Sequence, residues 1–134
     1  MSGLVLKLAP GERILINGAV IENGDRRSRL SIKTPNANIL RLKDAIHPEE
    51  ACTPVRRVCY IAQLILSGDA DPAEGRRQLL DGIEQLQQVF FDEDSKMSLV
   101  SAASAAAEER FYQSLKALRE LLPREDLLLK ASAQ

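Results

Sequence analysis

Apolar and polar positions alternate with period two over the first 46 residues and recur at three- and four-residue spacing over the rest of the chain. Leu4-Val5-Leu6-Lys7-Leu8 is apolar and β-compatible, and Pro10-Gly11 ends it as a turn. Ile14-Leu15-Ile16 and Ala19-Val20-Ile21 flank Asn17-Gly18, a pair that tolerates the positive φ of a tight hairpin turn, so these two runs are predicted to pair. Asn23-Gly24-Asp25 supplies a second turn. Over 29–33, Leu30 and Ile32 share one face while Arg29, Ser31 and Lys33 share the other. After turn residues Pro35, Asn36 and Asn38, the stretch 39–43 sets Leu40 and Leu42 opposite Ile39, Arg41 and Lys43. The pattern predicts five short strands, an antiparallel meander or small barrel.

The period changes near His47-Pro48-Glu49-Glu50, which reads as a connector. Thr53-Pro54 opens a helix, since Thr caps well and Pro suits the first helical position. Val55, Val58, Cys59, Ala62, Leu64, Ile65 and Leu66 make it heavily apolar, and Gly68 ends it. Asp71-Pro72-Ala73-Glu74 opens a second helix with the stripe Leu79, Leu80, Ile83, Leu86, Val89 and Phe90. Asp92-Glu93-Asp94-Ser95 opens a third, whose stripe Val100, Ala103, Ala107, Phe111, Leu115, Leu118 and Leu122 runs to Pro123. Leu127-Leu128-Leu129 reads as a last turn. The expected fold is α+β: a small antiparallel β module of about five short strands over 1–46, then a three-helix module over 47–134.

A chain of 134 residues with 45% hydrophobic and 28% charged residues can bury a modest core and is not disordered by composition. The net charge of −1 hides a division: residues 1–46 hold eight Lys/Arg against four Asp/Glu (+4), and residues 47–134 hold ten against fifteen (−5). A basic front suits a surface that meets an anion, and an uneven solvated surface is the plainer alternative. There is no Trp, and the three Phe and two Tyr leave few stacking platforms for bases. The cysteines Cys52 and Cys59 have no zinc spacing, and His47 is the sole histidine. Asp92-Glu93-Asp94 lacks the Gly and downstream Glu of a calcium loop and reads as helix-start charge. No P-loop, GxGxxG, HExxH or GxSxG occurs, so an enzyme, a cofactor and a metal are not expected. With no signal-peptide pattern and no membrane-spanning run, the cytoplasm is the expected location.

The candidate binding residues are the basic ones. Arg26, Arg27 and Arg29 follow a turn at a strand entrance, where guanidinium forks can reach phosphate. Lys7, Arg13, Lys33, Arg41 and Lys43 lie on the predicted strands. Their alternative role is as solubilising charge. Arg56 and Arg57 stand in the first turn of a helix, where cations oppose the macrodipole by about 0.3–1 kcal/mol. That cost implies a use, either RNA or a carboxylate such as Glu49 or Glu50.

The segments PGERILINGAVIENGDRR (10–27) and HPEEACTPVRRVCY (47–60) resemble the FlbT family of flagellar regulators. The resemblance implies a cytoplasmic post-transcriptional regulator that binds the 5′ untranslated region of flagellin mRNA, with the arginines as RNA contacts. The layout of residues 4–46 is also similar to the carbon-storage regulator family, CsrA, through Gly11-Glu12, Arg29-Leu30-Ser31-Ile32 with Pro35, and Lys43-Asp44-Ala45-Ile46. That likeness implies a β-stranded homodimer binding mRNA leaders at its strand edges, with Lys43 as a key basic residue and Leu8 where a basic residue would be expected. The partners expected are a flagellin mRNA leader, a second copy of the chain, and a flagellar regulatory protein or flagellin. The alternative function is a flagellar protein-interaction module, a chaperone or adaptor acting through residues 79–118 of the helical part.

Overall fold

The computed structural model describes residues 4–17, 19–34, 37, 39–41 and 45–132. Five strands, β1 (Leu4–Leu8), β2 (Arg13–Ile16), β3 (Ala19–Glu22), β4 (Ser28–Ile32) and β5 (Ile39–Arg41), precede five helices. These are α1 (Pro54–Leu66), α2 (Pro72–Gln87), α3 (Glu93–Ala107), α4 (Phe111–Arg119) and α5 (Leu122–Ser132), after a 3₁₀ turn at Pro48–Glu50. The architecture is the α+β one the patterning predicts. The turn at Pro35, Asn36 and Asn38, and the predicted end of the fifth strand at Leu42 and Lys43, lie outside the described residues.

The hairpin forms as expected, with Ile14 opposite Ile21, Leu15 opposite Val20, and Asn17 at φ +50° in its turn. The strands are not a meander, however. β1 pairs antiparallel with β4, and β5 joins β2, giving a two-stranded ribbon beside a β3-β2-β5 sheet. The cause lies at Pro10-Gly11. Gly11 adopts φ +70°, which L-residues avoid, and its N–H donates to Gly24 O at 2.8 Å. The chain therefore turns out of β1, runs through the hairpin and returns at Gly24 to the neighbourhood of β1.

Period two then sorts the β residues. Leu15 and Leu40 face the helices and join their core, while Ile14, Ile39 and Leu8 are buried outside that core cluster.

The caps predicted at Thr53 and Asp71 form, and Asp92, expected only as helix-start charge, caps the third helix. Thr53 Oγ1 accepts from Arg56 N, Asp71 Oδ2 from Glu74 N and Asp92 Oδ2 from Ser95 N. Its bonds to Ser95 hold the Asp92 carboxyl below the usual carboxylate range. α1 is the central helix, packed on α2, α4, α5 and β5. Buried in it, Gln63 accepts from Ile46 N and donates to Ile46 O, satisfying the connector's backbone. Burial pushes the Cys59 thiol, also on α1, up to about 12.

The predicted third helix is divided. α3 ends at Ala107, Glu109 takes φ +60°, and α4 starts at Phe111. The break shifts the helical phase, so the buried stripe of α3 is Ser95, Leu99, Ala102 and Ala106 rather than Val100, Ala103 and Ala107. Ser114 Oγ bonds Ala102 O across the α3–α4 contact. The residues near 127–129 extend α5, which buries only Glu125. That carboxylate accepts from Thr53 Oγ1 and Val55 N at the start of α1.

The phase of α3 is testable by equilibrium denaturation. Leu99 is fully buried and Val100 is 62% exposed. Leu99→Ala should cost about 2–5 kcal/mol and Val100→Ala within about half a kcal/mol.

Candidate nucleic-acid interface

Where the ribbon meets the larger sheet, Lys7, Leu8, Ala9, Glu12, Arg27, Ser28, Arg29 and Arg41 line an open groove of about 610 Å³. Four residues expected from the sequence to touch RNA converge here: Lys7, Arg27, Arg29 and Arg41. β1 brings Lys7, the turn after Gly24 brings Arg27, β4 brings Arg29, and β5 brings Arg41.

The β1–β4 register sets Lys7 directly opposite Arg29. Like charges in that position destabilise a strand pair. Among the described residues the charged groups of Lys7, Arg27 and Arg29 make no ion pair or hydrogen bond, and all three side chains are exposed. Arg41 differs. Its guanidinium donates from Nε to Glu12 Oε2 at 2.7 Å, from Nη2 to Glu12 Oε1 at 2.8 Å, and from Nη2 to Lys7 O at 2.7 Å. It belongs as much to the scaffold as to the basic surface.

The turns that shape the groove are tied by Asn23. Its Nδ2 donates to Ala9 O and Arg26 O at 2.8 Å, and its Oδ1 accepts from Ser28 Oγ. Its backbone N–H donates to Glu12 O at 2.8 Å. Asn23 and Glu12 escaped the sequence reading as site residues. The available signal was their place in the two turns, Pro10-Gly11-Glu12 and Asn23-Gly24, one after β1 and the other before β4.

The other candidates lie elsewhere. Arg26 is exposed beside the groove but does not line it, and Lys33 is exposed just past β4. Arg13 pairs with Glu22 across the hairpin at 2.7 Å. Ile14, not Arg13, stands opposite Arg41, so Arg13 is on the other face of the sheet from Arg41. Lys43 lies outside the described residues. Arg56 and Arg57 are on α1 and do not line the groove. Arg56 meets Glu125 at 3.4 Å and Asp126 at 3.2 Å rather than Glu49 or Glu50, and the bond to Asp126 raises its pKa. Glu50 instead accepts from His47 N. Arg57 donates to Cys52 O at 3.2 Å.

Among the described residues no cluster of three or more His, Cys, Asp or Glu is placed to hold a metal, and no helix is long and apolar enough to cross a membrane.

The fold is a small α+β protein with a cation-lined groove between two short sheets. The family profile described as "Flagellar protein FlbT" matches residues 4–129, and the chain belongs to that family. A "Probable flagellum biosynthesis repressor protein FlbT" of Chelativorans sp. is 33% identical over 129 residues, covering 96% of this chain and 88% of the relative. One from Allorhizobium ampelinum is 35% identical over 132 residues, covering 96% of this chain and 85% of the relative. The "Flagellum biosynthesis repressor protein FlbT" of Caulobacter vibrioides is 26% identical over 123 residues, covering 92% and 86%. No solved structure matches the chain.

Asn23→Ala removes a side chain that satisfies two turns at once. Exposed amides of β1 and β4 should exchange faster with solvent, and the β module should lose about 1–3 kcal/mol. Native-state hydrogen exchange reads both.

Proposed function

We propose that this protein regulates flagellum synthesis by binding the 5′ untranslated region of flagellin mRNA through the groove of Lys7, Arg27 and Arg29, altering the message's stability or translation. Its relatives carry the name flagellum biosynthesis repressor, which supports the flagellar role. The observation that carries the RNA reading is the opposition of Lys7 and Arg29 without a carboxylate partner among the described residues. A polyanion would relieve that repulsion and engage Arg27 in the same groove. The reading is of a binding protein rather than an enzyme.

Residues 1–46 contain no Phe, Tyr or Trp, so affinity rests on phosphate contacts rather than base stacking on aromatic rings. With three cations engaged, the logarithm of the association constant should fall against the logarithm of salt with a slope of about −2, at roughly 0.7 per phosphate on a single strand. The test is gel shift or anisotropy with a flagellin leader RNA across a salt series. Arg27→Ala with Arg29→Ala should flatten the slope to about −0.7 and abolish the shift at physiological salt, while the melting temperature stays close to that of the wild type. A double variant that binds normally would move attention to the helical module. There the exposed Phe91, Met97 and Val100 favour the alternative, a protein partner.

The homodimer belongs to the same reading. All four residues of β3 are exposed, Val20 by 62%, and the outer edges of β3 and β4 carry no strand among the described residues. Bare apolar edges invite strand addition, and a two-stranded ribbon is marginal on its own. A second copy would cover them symmetrically. Light scattering at micromolar concentration should give twice the chain mass, and a monomeric mass would count against this.

A further inference from the structure

We infer that Glu12 is the positioning residue of the groove, acting through Arg41, so that neutralising this acid weakens RNA binding although it makes the groove more positive. The inference rests on the RNA reading above and concerns how the groove is held for that ligand.

The geometry carries it. The Glu12 side chain is 8% exposed and that of Arg41 27%. Both carboxylate oxygens take a nitrogen of the Arg41 guanidinium, a two-pronged match that Lys cannot reproduce. One of the same oxygens accepts from Ala9 N at 2.9 Å. Arg41 in turn reaches Lys7 O at 2.7 Å, on β1. A single carboxylate therefore links β5, the Pro10-Gly11 turn and, through Arg41, the strand that carries Lys7. Among the described residues no hydrogen-bonded strand pairing joins the ribbon to the larger sheet. The spacing between Lys7 and Arg29 on one side and Arg41 on the other depends on this bridge.

Charge counting and geometry predict opposite results for Glu12→Gln. By charge, removing the one lining carboxylate among the described residues and releasing Arg41 should tighten RNA binding and steepen the salt slope by about 0.7. By geometry, the amide sets a donor NH2 beside its single acceptor oxygen, so it cannot offer each guanidinium nitrogen an oxygen of its own, and the two sheets can shift.

The experiment is RNA binding by the full chain, with a flagellin leader RNA as probe, measured for the wild type, Glu12→Gln, Arg41→Lys and the double variant across a salt series. Each is assayed well below its own melting midpoint, so general loss of stability does not enter. Expected are roughly tenfold losses in affinity for Glu12→Gln and for Arg41→Lys, which keeps the charge. The salt slope should not steepen, and the double variant should lose no more than either single, because the two side chains act as one unit. Glu12→Gln binding as tightly as the wild type, or more tightly, would overturn the inference. So would a loss in Glu12→Gln with none in Arg41→Lys, since Glu12 would then not act through the fork. A wild type that does not bind the leader at all would instead remove the RNA reading itself.

Discussion

The bridge between Glu12 and Arg41 is the interaction on which the β module depends. The two sheets are small, and no strand pairing joins them among the described residues. A ribbon of two five-residue strands buries too little to hold a fixed place by packing alone. Leu8, Ile14 and Ile39 are buried outside the helical core, and apolar burial of that kind is non-directional and tolerates sliding. The planar guanidinium does not tolerate it: two nitrogens are matched to two carboxylate oxygens, and one of them is also bound to a backbone carbonyl on β1. Both side chains are largely shielded from water, so the pair is screened less than a surface salt bridge would be.

The patterning made the local structure legible. Strand alternation, the Asn17-Gly18 hairpin and the caps at Thr53, Asp71 and Asp92 each depend on residues a few positions apart. What the patterning missed is non-local or degenerate. The pairing of β1 with β4 skips a whole hairpin, and Glu12 meets Arg41 from 29 positions away. Glu125 meets Thr53 from 72 positions away. On α3 the run from Met97 to Ala107 is uncharged and rich in Ala and Ser, so two adjacent stripes fit the helical period equally well. The kink that chooses between them is at Glu109, a residue with no preference for the positive φ it adopts, and neither Gly nor Pro marks it.

The site was legible in kind more than in detail. Charge asymmetry and the turn chemistry directed attention to the stretch that lines much of the groove, which Lys7, Arg27, Arg29 and Arg41 share. Basic residues look alike in a sequence, and only partners separate them. Arg13 answers Glu22, Arg56 answers Glu125 and Asp126, and Arg41 answers Glu12, which leaves the remaining cations of the groove available to an external anion. The cost of Arg56 at a helix start, visible from the sequence, is offset by two carboxylates of α5, a helix that the patterning reduced to a single turn.

The helical module sets the direction of the groove without touching it. Gly75 and Gly82 each weaken α2 by about 0.5–1 kcal/mol relative to Ala. They also let α2 lie close on α1, since a Cβ at Gly82 would sit 2.9 Å from Val58 Cγ2 and one at Gly75 2.6 Å from Ile65 Cγ1. α1 is thereby fixed against α2, while Glu125 fixes its start and Gln63 fastens it to the connector at Ile46. Against this helix rests β5, whose Leu40 is buried in the helical core. Side chains alternate along a strand, so burying Leu40 obliges Arg41 to point to the opposite face. That face looks toward the ribbon, where Glu12 receives the guanidinium. A packing decision in an apolar core is thus converted, one residue along, into the placement of a charge, and a slip of one position in β5 would exchange the two.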